Sequence, residues 1–164
     1  MTEVGHAMTG ATIGILCMPE YSIAKQRVLH ITAFMLIATI PDWPFKNWGH
    51  DRYYFSHSLF TTLFFISLAI LALMTFGKAR TKIGNWPVVM GGTSAWLSHL
   101  LLDSFYNHGK GIAIFWPFSK ARLALPIPWF DLGVGSPSHI LHVVFIEFLS
   151  YFPLLILAIL IRQK

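Results

Sequence analysis

His99 and Asp103, four residues apart, carry the clearest chemistry in this sequence. On a helix that spacing puts an imidazole and a carboxylate one turn apart on one face, where both can reach a single cation. His6, Asp42, His50, His57, His108, His139 and His142 lie near the ends of apolar runs, in positions from which they could join that pair. A shell of imidazole and carboxylate suits a divalent metal, zinc first, with manganese or iron as alternatives, and not copper(I) or a thiolate site. One or two such ions with an open coordination position activate water and polarise a phosphoryl or carbonyl oxygen. For any one of these histidines the bland alternative is an interfacial side chain bonded to backbone or water. For His99 and Asp103 taken with His57 and Asp42, the metal reading is preferred.

The elements that position these residues follow from composition. Of 164 residues, 55% are hydrophobic, 15% aromatic and 12% charged, and the mean hydropathy is +0.60. A soluble domain carries about 25% charged residues, so too few remain here to cover a water-facing surface, and the pattern is not that of a disordered chain. The single Cys17 excludes an internal disulfide, a Cys-rich zinc module and an iron–sulfur cluster held by this chain alone. Net charge is +5, but the basic residues are scattered without a nucleic-acid motif, so no nucleic acid is expected as a partner. Glu3 stands where a signal peptide needs positive charge, and the N-terminal segment is expected to be retained.

These features predict an all-α integral membrane bundle of about five helices, forming a single domain over 1–164. Tyr53 to Gly77 is 25 residues free of Asp, Glu, Lys and Arg, and Ile83 to Leu102 is another 20. Leu132 to Ile161 is broken only by Glu147. These three are read as transmembrane helices starting near His57, Val88 and Ser138, the last capped by Ser136 with Pro137 at its first position. Val4–Pro19 and Val28–Pro41 are shorter, at 16 and 14 residues, and either cross or enter partway. Gly10 with Gly14, and Gly91 with Ala95, are small-residue pairs that let helices pack closely in lipid.

If all five cross, the short connections bearing Lys25, Arg27, Lys78, Arg80, Lys82, Arg162 and Lys164 share one face, which the positive-inside rule makes cytoplasmic. The other, extracytoplasmic face then receives His6, Asp42, His50, His57, His99, Asp103, His108, His139 and His142, with only His30 among the histidines toward the cytoplasm. Ionisable groups at membrane depth are costly and are paired or functional. Arg52 either orients a substrate phosphate or pairs with Asp42 or Asp51. Ser58 is read as the cap of the third helix. Glu147, inside the last helix, has a ligand, a proton-shuttle and a neutral-acid reading, with His139 or His142 as natural partners. Between helices four and five, Ser104–Pro137 is a long aromatic and Pro-rich interfacial segment, either an aromatic belt or a cover over the polar cluster, and its Lys110, Lys120 and Arg122 favour an anionic substrate.

Gly5-His6, Ile40-Pro41-Asp42, Ser56-His57-Ser58-Leu59, the run Ser98 to Asp103, and Gly111 followed by Trp116-Pro117-Phe118 occur in one order. In this the chain resembles the YdjM-like, LexA-binding inner-membrane proteins, a family described as metal-dependent hydrolases. It departs at Pro44, where that family commonly has a second Asp, and in the spacing from His50 to His57. A more distant likeness is to zinc-dependent phospholipase C and its related single-strand nucleases. That likeness implies phosphoester hydrolysis, with Asp42, His57, His99 and Asp103 around one ion, and Asp103 bridging to a second that His6 also binds. It would draw a third site from His108 with His139 or His142.

The expected function is therefore a membrane-bound metal-dependent hydrolase of the inner (plasma) membrane, acting on a lipid or lipid-linked phosphoester with metal-activated water. The metal ligands expected are His6, Asp42, His57, His99 and Asp103. Arg52 would orient the phosphate, and Asp51 or His50 would move the proton. The alternative is a non-catalytic membrane protein with a structural metal site or a partner-docking role. A transporter would need polar residues through the membrane depth, and between Leu59 and Gly77 the third helix offers only Thr61, Thr62, Ser67 and Thr75.

Overall fold

The computed structural model describes residues 2–20, 23–43, 55–76, 86–106, 111–125 and 137–163. Among them the chain forms α1 (Glu3–Leu16), α2 (Ala24–Thr39) with a 3-10 turn at Ile40–Asp42, α3 (Leu59–Phe76), α4 (Trp86–Tyr106) and α5 (Pro137–Arg162). No strand is found among the described residues beyond an isolated antiparallel bridge between Ile112 and Leu123. The all-helical expectation holds. The helix starts fall within two residues of those expected: Leu59 for His57, Trp86 for Val88 and Pro137 for Ser138. Pro137 does open α5, since a residue without an N–H suits the first helical position; Ser136 lies outside the described residues.

α1 is the centre of the assembly, packing against α2, α4 and α5, while α3 touches α4 more lightly. Its glycines make this possible. A Cβ on Gly10 would sit 2.5 Å from the Phe34 carbonyl oxygen and 2.8 Å from Ala38 Cβ, so α1 and α2 meet backbone to backbone. A Cβ on Gly91 of α4 would collide with Cys17 Sγ at 2.7 Å. Phe34, Ala38 and Ala95 are the buried core that these small residues admit.

The membrane reading is supported more narrowly than five spans. Among the described residues only Leu141–Arg162 of α5 is long and apolar enough to cross a bilayer, and Leu59–Ala72 of α3 is a shorter apolar stretch. α1 and α2 have 14 and 16 residues, and α4 is diluted by Gly91, Gly92, Thr93, Ser94, Ser98, His99 and Asp103. The outer faces of α3 and α5 expose Phe64, Leu68, Leu71, Phe145, Leu149 and Leu157, a surface that water penalises and lipid accepts.

Candidate metal centre

Five side chains from four separate stretches of chain meet at one end of the helices. His6 lies in the opening turns of α1, where its backbone N–H donates to the carbonyl of Thr2 at 3.3 Å. Asp42 closes the 3-10 turn that carries Pro41, and Trp43 N–H donating to Ile40 O at 3.1 Å holds the bend. His57 sits two residues ahead of α3, whose first amide, Leu59 N–H, donates to Ile114 O at 2.9 Å. His99 and Asp103 occupy the closing turns of α4. The next residue, Ser104, accepts from Leu125 N–H at 2.7 Å, so the segment 111–125 is hooked to both helix ends beside the site. Within it Ile112 and Ala113 are buried while Phe115 and Phe118 are exposed.

His57 Nε2 lies 3.0 Å from Asp103 Oδ2, 3.2 Å from His99 Nε2 and 3.3 Å from Asp42 Oδ1. His99 Nε2 lies 3.3 Å from Asp103 Oδ2 and 3.5 Å from Asp42 Oδ1. His6 Nε2 faces the other oxygens of the same carboxylates, at 3.0 Å from Asp103 Oδ1 and 3.8 Å from Asp42 Oδ2. All five side chains are at most 5% exposed.

This donor set fits a cation. Ligands about 2.0–2.1 Å from a tetrahedral zinc stand about 3.3–3.4 Å from one another, and the five separations among His57, His99, Asp42 Oδ1 and Asp103 Oδ2 run from 3.0 to 3.5 Å. Protons serve the same atoms less well, because a single N–H on His57 Nε2 would face three acceptors at once. The outer nitrogens are prepared as metal-bound histidines need: His99 Nδ1–H donates to Ala38 O at 2.8 Å, and His57 Nδ1 pairs with Ser56 Oγ at 2.8 Å. His6 differs, its buried Nδ1 having no hydrogen-bond partner among the described residues.

Other expectations fare differently. His50, Asp51, Arg52 and His108 lie outside the described residues, as does the side chain of His139. His142 is exposed and is not brought to the cluster. His30, read as lying away from it, is buried with Nε2 3.1 Å from Gly14 O. Ser58 does not cap α3 with its side chain: its carbonyl takes the Thr62 N–H at 3.0 Å, while its hydroxyl donates to Trp116 O. Glu147 is fully buried, yet its partner is neither His139 nor His142. It accepts from Thr2 N–H at 2.8 Å and from the Thr2 hydroxyl. The supporting roles of the Ala38 carbonyl and of Thr2 leave no mark in the sequence, whereas Ser56 adjoins His57 in the chain, and that adjacency is the signal for its bond to His57 Nδ1.

No curated protein and no solved structure matches the chain, so the likeness to phospholipase C finds no support. The model of the YdjM inner membrane protein family matches residues 1–161, a stretch that contains every residue of the cluster and the whole apolar part of α5. On that match, the chain belongs to the YdjM inner membrane protein family.

Proposed function

We propose that this protein is a membrane-bound metal-dependent hydrolase that cleaves a lipid or lipid-linked phosphoester. The observation that carries the reading is the cluster of His6, Asp42, His99 and Asp103, with one ligand atom of each within 4.8 Å of the others and His57 beside them against both carboxylates, in a chain of an inner-membrane family. A cation there supplies a polarised water and charge neutralisation at a phosphoryl oxygen. His57, His99, Asp42 and Asp103 hold it, with zinc favoured over manganese or iron by the mixed nitrogen and oxygen set. Arg52 orients the phosphate by paired hydrogen bonds, and Asp51 or His50 takes the proton. The exposed Lys120 and Arg122 draw an anionic head group toward this end of the helices. The crossing of all five helices, with this end extracytoplasmic, rests on the basic short connections.

The rings of His6 and His99 favour two cations over one. They are stacked, with centroids 3.6 Å apart and planes 15° apart. An imidazole holds a metal in its own plane, and a cation in one of two stacked planes lies well outside the other. The rings of His57 and His99, tilted by 59°, can converge on one cation. Each carboxylate divides its oxygens accordingly, one toward His57 and His99 and one toward His6.

Detergent-purified protein, stripped with chelator and titrated with Zn²⁺, is expected to bind two equivalents by elemental analysis, and His6→Ala one. The loaded protein is expected to release product from a panel of phospholipids and lipid phosphates, and chelator to stop it. Wild-type protein that takes up no metal overturns the proposal. The near-complete burial of the ligands favours a second reading, a structural metal site; bound metal without turnover of any lipid phosphate, ester or amide selects it.

A further inference from the structure

We infer that Glu147 of α5 is a positioning residue for the metal centre, setting the axial placement of α1 and with it the place of His6. The inference rests on the metal reading above and is tested by a distance that does not depend on metal.

Glu147 is the one acidic residue in α5, an otherwise apolar helix, and it is fully buried. A carboxyl group in such a helix is expensive to keep and calls for a specific partner. That partner is the start of α1, where the backbone N–H and hydroxyl of Thr2 both donate to it. Thr2 is the N-cap residue of α1, yet its hydroxyl makes no cap within its own helix and is given to α5 instead. At the far end of α1, Arg162 of α5 donates to the carbonyl of Met18. The two helices therefore run parallel and are tied at both ends, by an acceptor where α1 has spare N–H groups and by a donor just past its last turn.

The two ties match in length. Sixteen residues separate Thr2 from Met18 and fifteen separate Glu147 from Arg162, so at 1.5 Å per residue the spans agree to within about 2 Å. Sliding α1 by one turn breaks both. Between apolar helices in lipid there is little hydrophobic force to choose one register over another, and buried polar pairs make the choice. His6 follows Thr2 by one turn, hydrogen-bonded to it along the backbone. Unlike His57 and His99, it has no hydrogen-bond partner on its outer nitrogen among the described residues. Its position relative to Asp103 is inherited from its helix.

The test uses full-length protein in detergent with Cys17 replaced by serine and spin labels at Val4 of α1 and Phe145 of α5, both exposed. The parent is expected to give one narrow distance distribution, Glu147→Leu a shifted or broadened one, and Glu147→Gln, which keeps an acceptor, to restore most of the parent's. In the same variants Zn²⁺ affinity is expected to fall roughly 10- to 100-fold for Glu147→Leu, the scale seen when a metal ligand loses its supporting partner, and by less than twofold when His6→Ala is already present. An unchanged distance distribution in Glu147→Leu overturns the inference, whatever the metal does. So does an affinity loss of equal size with and without His6, which marks a general loss of structure. Parent protein that binds no Zn²⁺ sinks the metal reading instead, and the distances still decide whether Glu147 sets the register. If Glu147→Leu does not fold, Thr2→Val, which removes only the hydroxyl, is expected to shift the distance in the same direction by less.

Discussion

Asp103→Asn abolishes tight metal binding: this is the largest loss expected from a single atom change in the protein. The Asp103 carboxylate touches all three imidazoles of the cluster, within 3.0–3.3 Å. Asparagine keeps the shape and one oxygen but replaces the other with a donor, which turns hydrogens toward nitrogens that need an anion or a cation. Structural zinc sites contribute about 10–16 kcal/mol shared among four ligands, so one ligand is worth roughly two to three powers of ten in affinity. Zinc titration of wild type and variant reads this directly. Thermal unfolding separates the alternatives: wild type loses stability when chelator is added, and Asp103→Asn unfolds at one temperature with or without it. If the variant is destabilised while wild type is indifferent to chelator, the cluster is a proton-held network and the metal reading falls.

Gly10→Val is expected to damage the fold and the centre together. The obstacle to a side chain at Gly10 is backbone, the Phe34 carbonyl oxygen at 2.5 Å and Met35 Cα at 3.0 Å, with Ala38 Cβ at 2.8 Å. Backbone cannot turn aside as a flexible side chain can, so α1 and α2 must separate, at a cost at or above the upper end of the roughly 1–3 kcal/mol typical of overpacking. Ala38 is also the residue whose carbonyl holds His99 Nδ1, and displacing it frees that ring to turn. Gly10→Val should therefore lower both the melting temperature and the metal affinity. Gly92→Ala is the control, since its Cβ would meet nothing nearer than Ile37 Cδ1 at 3.8 Å. Equal behaviour of the two variants would mean that the close approach of α1 and α2 is not what holds the site.

Much of the centre was legible because its geometry is local or repeated. The spacing of His99 and Asp103 is a helical turn, and the alternation of apolar runs carries His6, Asp42 and His57 to the end of the bundle where that turn lies. The glycine pairs announced close packing for a similar reason: period and residue size are written in the chain. What escaped is long-range pairing. Nothing about Glu147 points to Thr2, 145 residues away, and a nearby histidine is the natural guess when only neighbours are visible. Ser58 misled in the opposite way. Its type and place suit a helix cap, but the hydroxyl is taken by Trp116 from a segment whose path no pattern forecasts. Five spans are not carried by helix length and composition alone: among the described residues only α5 holds a stretch long and apolar enough to cross a bilayer, and α4 is diluted by small and polar residues such as Gly91, Gly92, Ser98, His99 and Asp103.

The bond between Thr2 and Glu147 also sets an order of events in the cell. His6 leaves the ribosome 141 residues before Glu147, which at 5–20 residues per second is roughly 7–28 s earlier. Throughout that interval α1 lacks the carboxylate to which Thr2 donates in the finished fold. On the proposed metal reading, the centre is complete only once the last helix is made, and a nascent chain halted before it would carry the other ligands without a settled place for the first histidine.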